Sequence, residues 1–330
     1  MLLCFPMVLF ACSKAWCQPT SQAPIQPVVV AYLPNWVDLA PFADSIDYAR
    51  ITHINMAFEN PINGSGEMSF EGASAPIIAR AHEHHVKVLV SIGGGSVSEN
   101  KRQREQYFSL ITSEKRAAFV QKIAEYVDLH HFDGVDVDLE GPAVNKDFGP
   151  FVHELAAALK PKGKLLTSAL SQGYGGDQVP TSAFDDLDFV NIMAYDATGA
   201  WNPNMPGQHS SYEYAKSNVA YWLGRGLPKA KAVLGVPFYG YGFGKNFRNH
   251  DYSYSEILAN YAGAESMDQV GDTIWYNGIA TIKAKAKYVV DLGLGGVMIW
   301  SLDYDVKGDK SLLTAIHDTL IPPVVKSVAP

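Results

Sequence analysis

From residue 28 onward the chain repeats one unit eight times: a short apolar run rich in β-branched residues, a glycine-rich or polar loop, and in most units a stretch with helical periodicity. Runs that are continuously apolar, rather than alternating, suit strands buried on both faces, as in parallel sheets covered by helices. The runs cover 28–33, 51–58, 86–92, 134–139, 165–170, 189–194, 232–238 and 296–300. Helical periodicity falls between and after them at 73–85, 113–131, 146–159, 212–224, 279–292 and 310–320. It is clearest in 113–131, where Phe119, Val120, Ile123, Ala124 and Val127 share one face. Eight such units fit a closed barrel better than a doubly wound sheet. The expected fold class is therefore α/β, a single-domain (β/α)8 TIM barrel over 28–322. The connection after the seventh run, 240–278, is short, so no large α+β insertion is expected there.

Residues 1–17 read differently: an apolar stretch too short to span a bilayer, then small residues, holding all three cysteines, Cys4, Cys12 and Cys17. An export signal is expected at 1–17, although basic residues before the apolar run are lacking. A linker is expected at 18–27 and a tail at 323–330. Leu9 to Cys12 resembles a lipoprotein cleavage site with Phe10 a poor fit, so plain export is favoured over anchoring through Cys12. The net charge of −8 without a Lys/Arg cluster excludes a nucleic-acid footprint. No later segment is apolar for long enough to cross a membrane. A monomer is expected.

In such barrels chemistry sits at the C-terminal ends of the strands. The fourth run reads Asp133-Gly-Val-Asp136-Val-Asp138-Leu-Glu140, and side chains alternate along a strand. Asp136, Asp138 and Glu140 therefore share one face, while Val135, Val137 and Leu139 face the helices. Three neighbouring carboxylates repel and desolvate one another, so at least one must be protonated or tightly hydrogen-bonded. That arrangement keeps a general acid loaded. A solvated acidic face conflicts with the apolar opposite side. A divalent-metal site is disfavoured because carboxylates spaced by two along a strand line up rather than wrap an ion.

Asp133, Asp136, Asp138 and Glu140 fit the DxxDxDxE pattern of glycoside hydrolase family 18, the chitinases and endo-β-N-acetylglucosaminidases. Ser91-Ile92-Gly93-Gly94 resembles the family's SxGG, and Met193-Ala194-Tyr195-Asp196 its MxYD. Gly199-Ala200-Trp201, Gly235 to Gly240 and Gly295 to Trp300 resemble further strand-end segments of the family. The resemblance implies retaining hydrolysis of N-acetylglucosamine polymers, chitin or chitooligosaccharides, in which the substrate's own acetamide is the nucleophile. It implies Glu140 as acid, Asp138 orienting the acetamide, Asp136 sharing a proton with Asp138, and Tyr195 bonding the acetamide carbonyl. Asp196, Met193, Trp300, Trp201, Tyr239, Phe58 and Gly94 are placed with the substrate. No cofactor and no metal are implied. Many members carry Trp and Tyr where this chain has Leu139 and Gly141, which leaves the packing near the acid open.

The remaining signals have plainer alternatives. Ser91 to Gly95 could cradle an anion, but it lacks a Walker lysine, and close packing is favoured. Trp300 and Met193, taken singly, read as core. Tyr239-Gly-Tyr241-Gly-Phe243 reads equally as a flexible loop or as a cleft wall. His82, His84 and His85 read as a solvated helix end. The short 240–278 connection points to an open groove. Competing functions are N-glycan trimming by an endo-β-N-acetylglucosaminidase, or chitin binding without hydrolysis; the intact Glu140, Asp138 and Tyr195 disfavour the second.

Overall fold

The computed structural model describes residues 26–70, 72–244 and 250–322. The expected export signal, nearly all of the linker, the three cysteines and the tail lie outside the described residues. The strands are β1 Val28–Pro34, β2 His53–Ala57, β3 Lys87–Gly93, β4 Gly134–Asp138, β5 Leu165–Leu170, β6 Phe189–Ile192 and β7 Ala232–Pro237, then β8 Tyr239–Gly242, β9 His250–Ser253, β10 Gln269–Val270, β11 Ile274–Trp275 and β12 Gly296–Trp300. The helices are α1 Leu39–Ala43, α2 Ser74–Glu83, α3 Gly95–Glu99, α4 Lys101–Leu110, α5 Arg116–Leu129, α6 Phe148–Leu159, α7 Ala183–Asp186, α8 Tyr212–Gly224, α9 Tyr254–Asn260, α10 Ile279–Leu292 and α11 Leu312–Leu320.

Eight parallel strands close into a barrel in the order β1-β12-β7-β6-β5-β4-β3-β2. This is the (β/α)8 barrel that the repeating pattern predicts. Strand alternation divides the core in two. Val29, Ala31, Leu33, Val135 and Val137 pack outward against helices, while Val30, Tyr32, Ala169, Val233 and Met298 fill the interior. Among the described residues no helix is long and apolar enough to cross a membrane.

Three local expectations change. The glycine-rich segment after β3 is not a bare loop but enters α3 and α4. The run of Lys, Arg and Gln in α4 hid it, because only Tyr107 and Leu110 of that helix are buried. The segment after β7 is short, yet it forms a four-stranded antiparallel sheet, β10-β11-β8-β9, with α9. Tyr239 and Tyr241 stand in β8 and are buried, so this stretch is wall rather than flexible loop. The histidines at the end of α2 are not simply solvated: His82 Nε2 lies 2.8 Å from Asp133 Oδ2, and the His84 ring stacks on Tyr48 at 4.9 Å. Asp133 also accepts from Lys87 Nζ and the Val88 N–H, at 2.9 and 2.8 Å. The first aspartate of the signature is thus a brace at the start of β4, at the end of the strand away from Glu140.

Candidate active site

Glu140 lies two residues past the end of β4 in extended backbone, with φ −132° and ψ 163°, so the strand's alternation carries through to it. Its backbone is fixed by Ser98 Oγ, which donates to the Glu140 carbonyl at 2.7 Å, and by the Gly141 N–H, which donates to the Tyr174 carbonyl at 3.1 Å. Gly141 has φ +53°, and a Cβ there would lie 2.2 Å from the Tyr174 ring. Tyr174 occupies the space beside the acid that a larger residue at 141 would claim.

Asp136 is fully buried and accepts four hydrogen bonds: from Tyr32 Oη at 2.6 Å, Ser91 Oγ at 2.8 Å, Thr167 Oγ1 at 2.6 Å and Asn191 Nδ2 at 3.3 Å. These donors come from β1, β3, β5 and β6, and register sets Ser91 and Thr167 directly beside Asp136. Burial raises its pKa while the four bonds pull it back. Asp138 is in a different position. It is 4% exposed, and its Oδ1 accepts no hydrogen bond from any described residue. Burial, then the charges of Glu140 and Asp136, hold its carboxyl well above the usual range. Glu140 is pushed up to about 7 by burial, with Asp196 and Glu99 adding to the shift. Along the strand the carboxyls thus run from the saturated Asp136, through the unpartnered Asp138, to Glu140, which is about half protonated at neutral pH.

Around Glu140 the cleft has two lobes, of about 380 and 460 Å3, that share Gly95, Glu99, Glu140, Met193, Tyr195 and Asp196. Trp36, Phe58, Ser96, Asp138, Tyr239 and Trp300 complete the first. Ser171, Gln172, Tyr174, Trp201 and Tyr214 belong to the second. In the first, Phe58 stacks on Trp300 at 5.8 Å, and Trp36, 65% exposed, stacks on Phe58 at 6.4 Å. In the second, Trp201 is 62% exposed and stands edge-on to Tyr241 at 5.3 Å. Among the described residues the Tyr195 hydroxyl donates to Met298 Sδ alone, at 3.9 Å, a weak bond that a ligand oxygen can replace.

Asp196 takes φ +61° and accepts from Tyr239 Oη and, at 3.2 Å, from Tyr241 Oη. The Tyr239 hydroxyl is thereby engaged inside the protein, so this residue shapes the lobe with its ring and orients Asp196. Gly94 lines neither lobe; it works through packing. Its N–H donates to the Asp138 carbonyl at 2.7 Å, so it is not free to bind an anion. At φ +82° a Cβ on Gly94 would lie 2.5 Å from Phe58. With ψ at 175°, Gly94 sits in a region open essentially to glycine alone, so Gly94→Ala is expected to destabilise the fold by about 1–3 kcal/mol from backbone strain alone and to push Phe58 off Trp300. Thermal unfolding and tryptophan fluorescence check both.

Of the sequence-derived residues, Glu140, Asp138, Tyr195, Asp196, Met193, Trp300, Trp201, Tyr239 and Phe58 come together at the cleft, while Asp136 lies beneath it. Sequence reading missed Trp36, Tyr174 and Glu99 as lining residues, and Tyr32, Thr167 and Asn191 as partners of Asp136. Trp36 follows the end of β1 much as Trp300 ends β12, a signal that was there to use.

The profile of glycosyl hydrolases family 18 matches residues 28–305. The chain belongs to this family. Among solved family 18 enzymes, a chitinase from Flavobacterium johnsoniae is 37% identical, with a TM-score of 0.83 over 89% of this chain and 94% of that one. A chitinase from Bacteroides thetaiotaomicron is 27% identical, with a TM-score of 0.80 over 92% and 99%. A chitinase-like effector of Moniliophthora roreri is 32% identical over 66% of this family 18 chain and 59% of its own length. The chain thus spans less than two thirds of that relative.

Proposed function

We propose that this chain is a retaining chitinase that cleaves β-1,4-linked N-acetylglucosamine polymers or oligomers with assistance from the substrate. The observation that carries the reading is the orphan Oδ1 of Asp138, buried beside a glutamate held protonated to about pH 7 at the junction of two aromatic lobes. An unpartnered buried acceptor costs free energy unless a ligand donor completes it, and an acetamide N–H is such a donor.

In this reading the reacting sugar lies on Trp300 in the lobe that contains Asp138, and the leaving chain lies between Tyr174 and Trp201. Glu140 donates its proton to the glycosidic oxygen as the acetamide carbonyl oxygen attacks C1. The C1–O bond breaks, the alcohol departs, and an oxazolinium ion remains. Asp138 accepts from the acetamide N–H and offsets its positive charge, while Tyr195 donates to the carbonyl oxygen. Glu140, now a carboxylate, takes a proton from a water that attacks C1 and reopens the ring, so configuration is retained. Aromatic walls on both sides of Glu140 support cleavage within a chain rather than at its end. The apolar 1–17 segment supports export.

Incubation with chitooligosaccharides of increasing length, with product identification, tests the reading. Internal cleavage supports it, whereas release of glycans from a glycoprotein with intact chitooligosaccharides would favour the endo-β-N-acetylglucosaminidase branch.

The protonated acid sets a pH dependence. kcat/KM is expected to fall as pH rises through about 7. Stability follows the same group. Because its folded pKa lies above the unfolded value, its contribution is full below about 4.3 and is lost as pH rises through about 7. Glu140→Gln, which cannot ionise, should therefore unfold at a higher temperature than wild type at pH 8 and show less difference at pH 4.

A further inference from the structure

Lys285, on α10, lines neither lobe and is wholly buried. Its Nζ donates three hydrogen bonds, to Ser210 O at 2.7 Å, Ser210 Oγ at 2.7 Å and Asn277 Oδ1 at 2.6 Å. These three acceptors are neutral. Burial pushes the ammonium down to about 7, against only a weaker pull from Asp268. A buried cation held by neutral partners is costly, and an apolar chain of similar length would fill the same space at less cost. The three bonds must therefore matter for something other than filling.

They converge on a segment that grips the end of β6. Ser210 Oγ donates to the Ala194 carbonyl at 2.7 Å, the residue before Tyr195. The Ser210 carbonyl also accepts from Asn277 Nδ2 at 2.9 Å. Next to it, buried His209 accepts the Asp196 N–H at Nδ1, at 3.4 Å, and donates from Nε2 to the Tyr239 carbonyl at 3.2 Å. The His209 carbonyl accepts the Ala197 N–H at 3.0 Å. The backbone on both sides of Tyr195 and Asp196 is thus tied to residues 209–210, and Lys285 anchors those residues from behind.

We propose that Lys285 is a positioning residue: acting through Ser210, it fixes the backbone of 194–197 and so sets where Tyr195 and Asp196 stand in the cleft. The inference rests on the chitinase reading for its effect on rate, but not for its effect on the segment. A misplacement of these two groups would weaken contacts made in the transition state more than those made in the ground state.

The test uses Lys285→Met, which keeps an unbranched chain one atom shorter and removes every side-chain donor. Its kcat on chitooligosaccharides is expected to fall about tenfold to a hundredfold, with KM changed by less than about threefold. Amide exchange at 195–198 should rise about tenfold while β1 to β4 keep their protection. Ser210→Ala should act in the same direction. The double variant should lose no more than the weaker-performing single, because both act on one tether. A folded Lys285→Met with kcat within about twofold of wild type and unchanged exchange at 195–198 overturns the proposal, as does strict additivity with Ser210→Ala. If Lys285→Met does not fold, Ser210→Ala decides by the same two readouts. Wild-type protein inert towards chitooligosaccharides would refute the chitinase reading instead, and the exchange data would still judge the tether.

Discussion

Glu140→Gln is expected to lower kcat on chitooligosaccharides by about 10²–10⁴-fold, the range a positioned general acid contributes, while oligosaccharide affinity stays within about threefold of wild type. The amide matches the carboxyl in shape, and the backbone at 140 is held by Ser98 and Tyr174 whatever the side chain. The aromatic surfaces of Trp300, Phe58 and Trp201 are untouched by the change. The cleft should therefore still bind, and only proton delivery should fail. Calorimetry beside a reducing-sugar assay separates the two. A variant that keeps more than about a tenth of the wild-type rate would remove Glu140 from its role. Wild-type protein that binds but never cleaves would make this a lectin.

Fully deacetylated glucosamine oligomers should be cleaved slower by a factor on the order of 10⁵ or more, which amounts to no detectable cleavage. The size follows from what is lost. An acyl oxygen held against C1 acts at an effective molarity of about 10⁵–10⁸ M, and a free amine offers no such oxygen. Asp138 does not fill the gap in this account, because it serves the acetamide N–H rather than C1. Rates on matched acetylated and deacetylated oligomers, followed by chromatography, check the factor. Comparable rates on both would mean that the acetamide is not the nucleophile and that a carboxylate of the protein, or a water it activates, attacks C1 instead.

The barrel was legible because its strands are buried on both faces, and a continuous apolar run is hard to mistake when it recurs eight times. Gly134–Asp138, Leu165–Leu170 and Gly296–Trp300 fall at or within a residue of their expected bounds for that reason. Helix α4 was illegible because its exposed face is polar or charged throughout and only two of its residues are buried, which leaves little periodicity to read. The common facing of Asp136, Asp138 and Glu140 follows from alternation alone. What alternation does not give is their difference. Asp136 meets Tyr32, Thr167 and Asn191 only once the barrel closes, since those residues lie on β1, β5 and β6. The orphan oxygen of Asp138 is likewise a product of packing. The engagement of Tyr239 by Asp196 required β8, whose alternating glycines and tyrosines read equally as loop or as cleft wall. Tyr174 beside Glu140 depends on the left-handed backbone of Gly141, a conformation that sequence permits but does not announce.

The partnership of Glu140 with the substrate's acetamide is open to one direct measurement. Aryl chitobiosides can be prepared with zero, one, two or three fluorines on the acyl group of the sugar that bears the aryl leaving group. Each fluorine withdraws electrons from the carbonyl oxygen while leaving the glycosidic bond and the cleft contacts nearly unchanged. If that oxygen attacks C1, kcat must fall steeply and progressively across the series. A rate independent of fluorine number would contradict that attack and exclude the acetamide as the nucleophile.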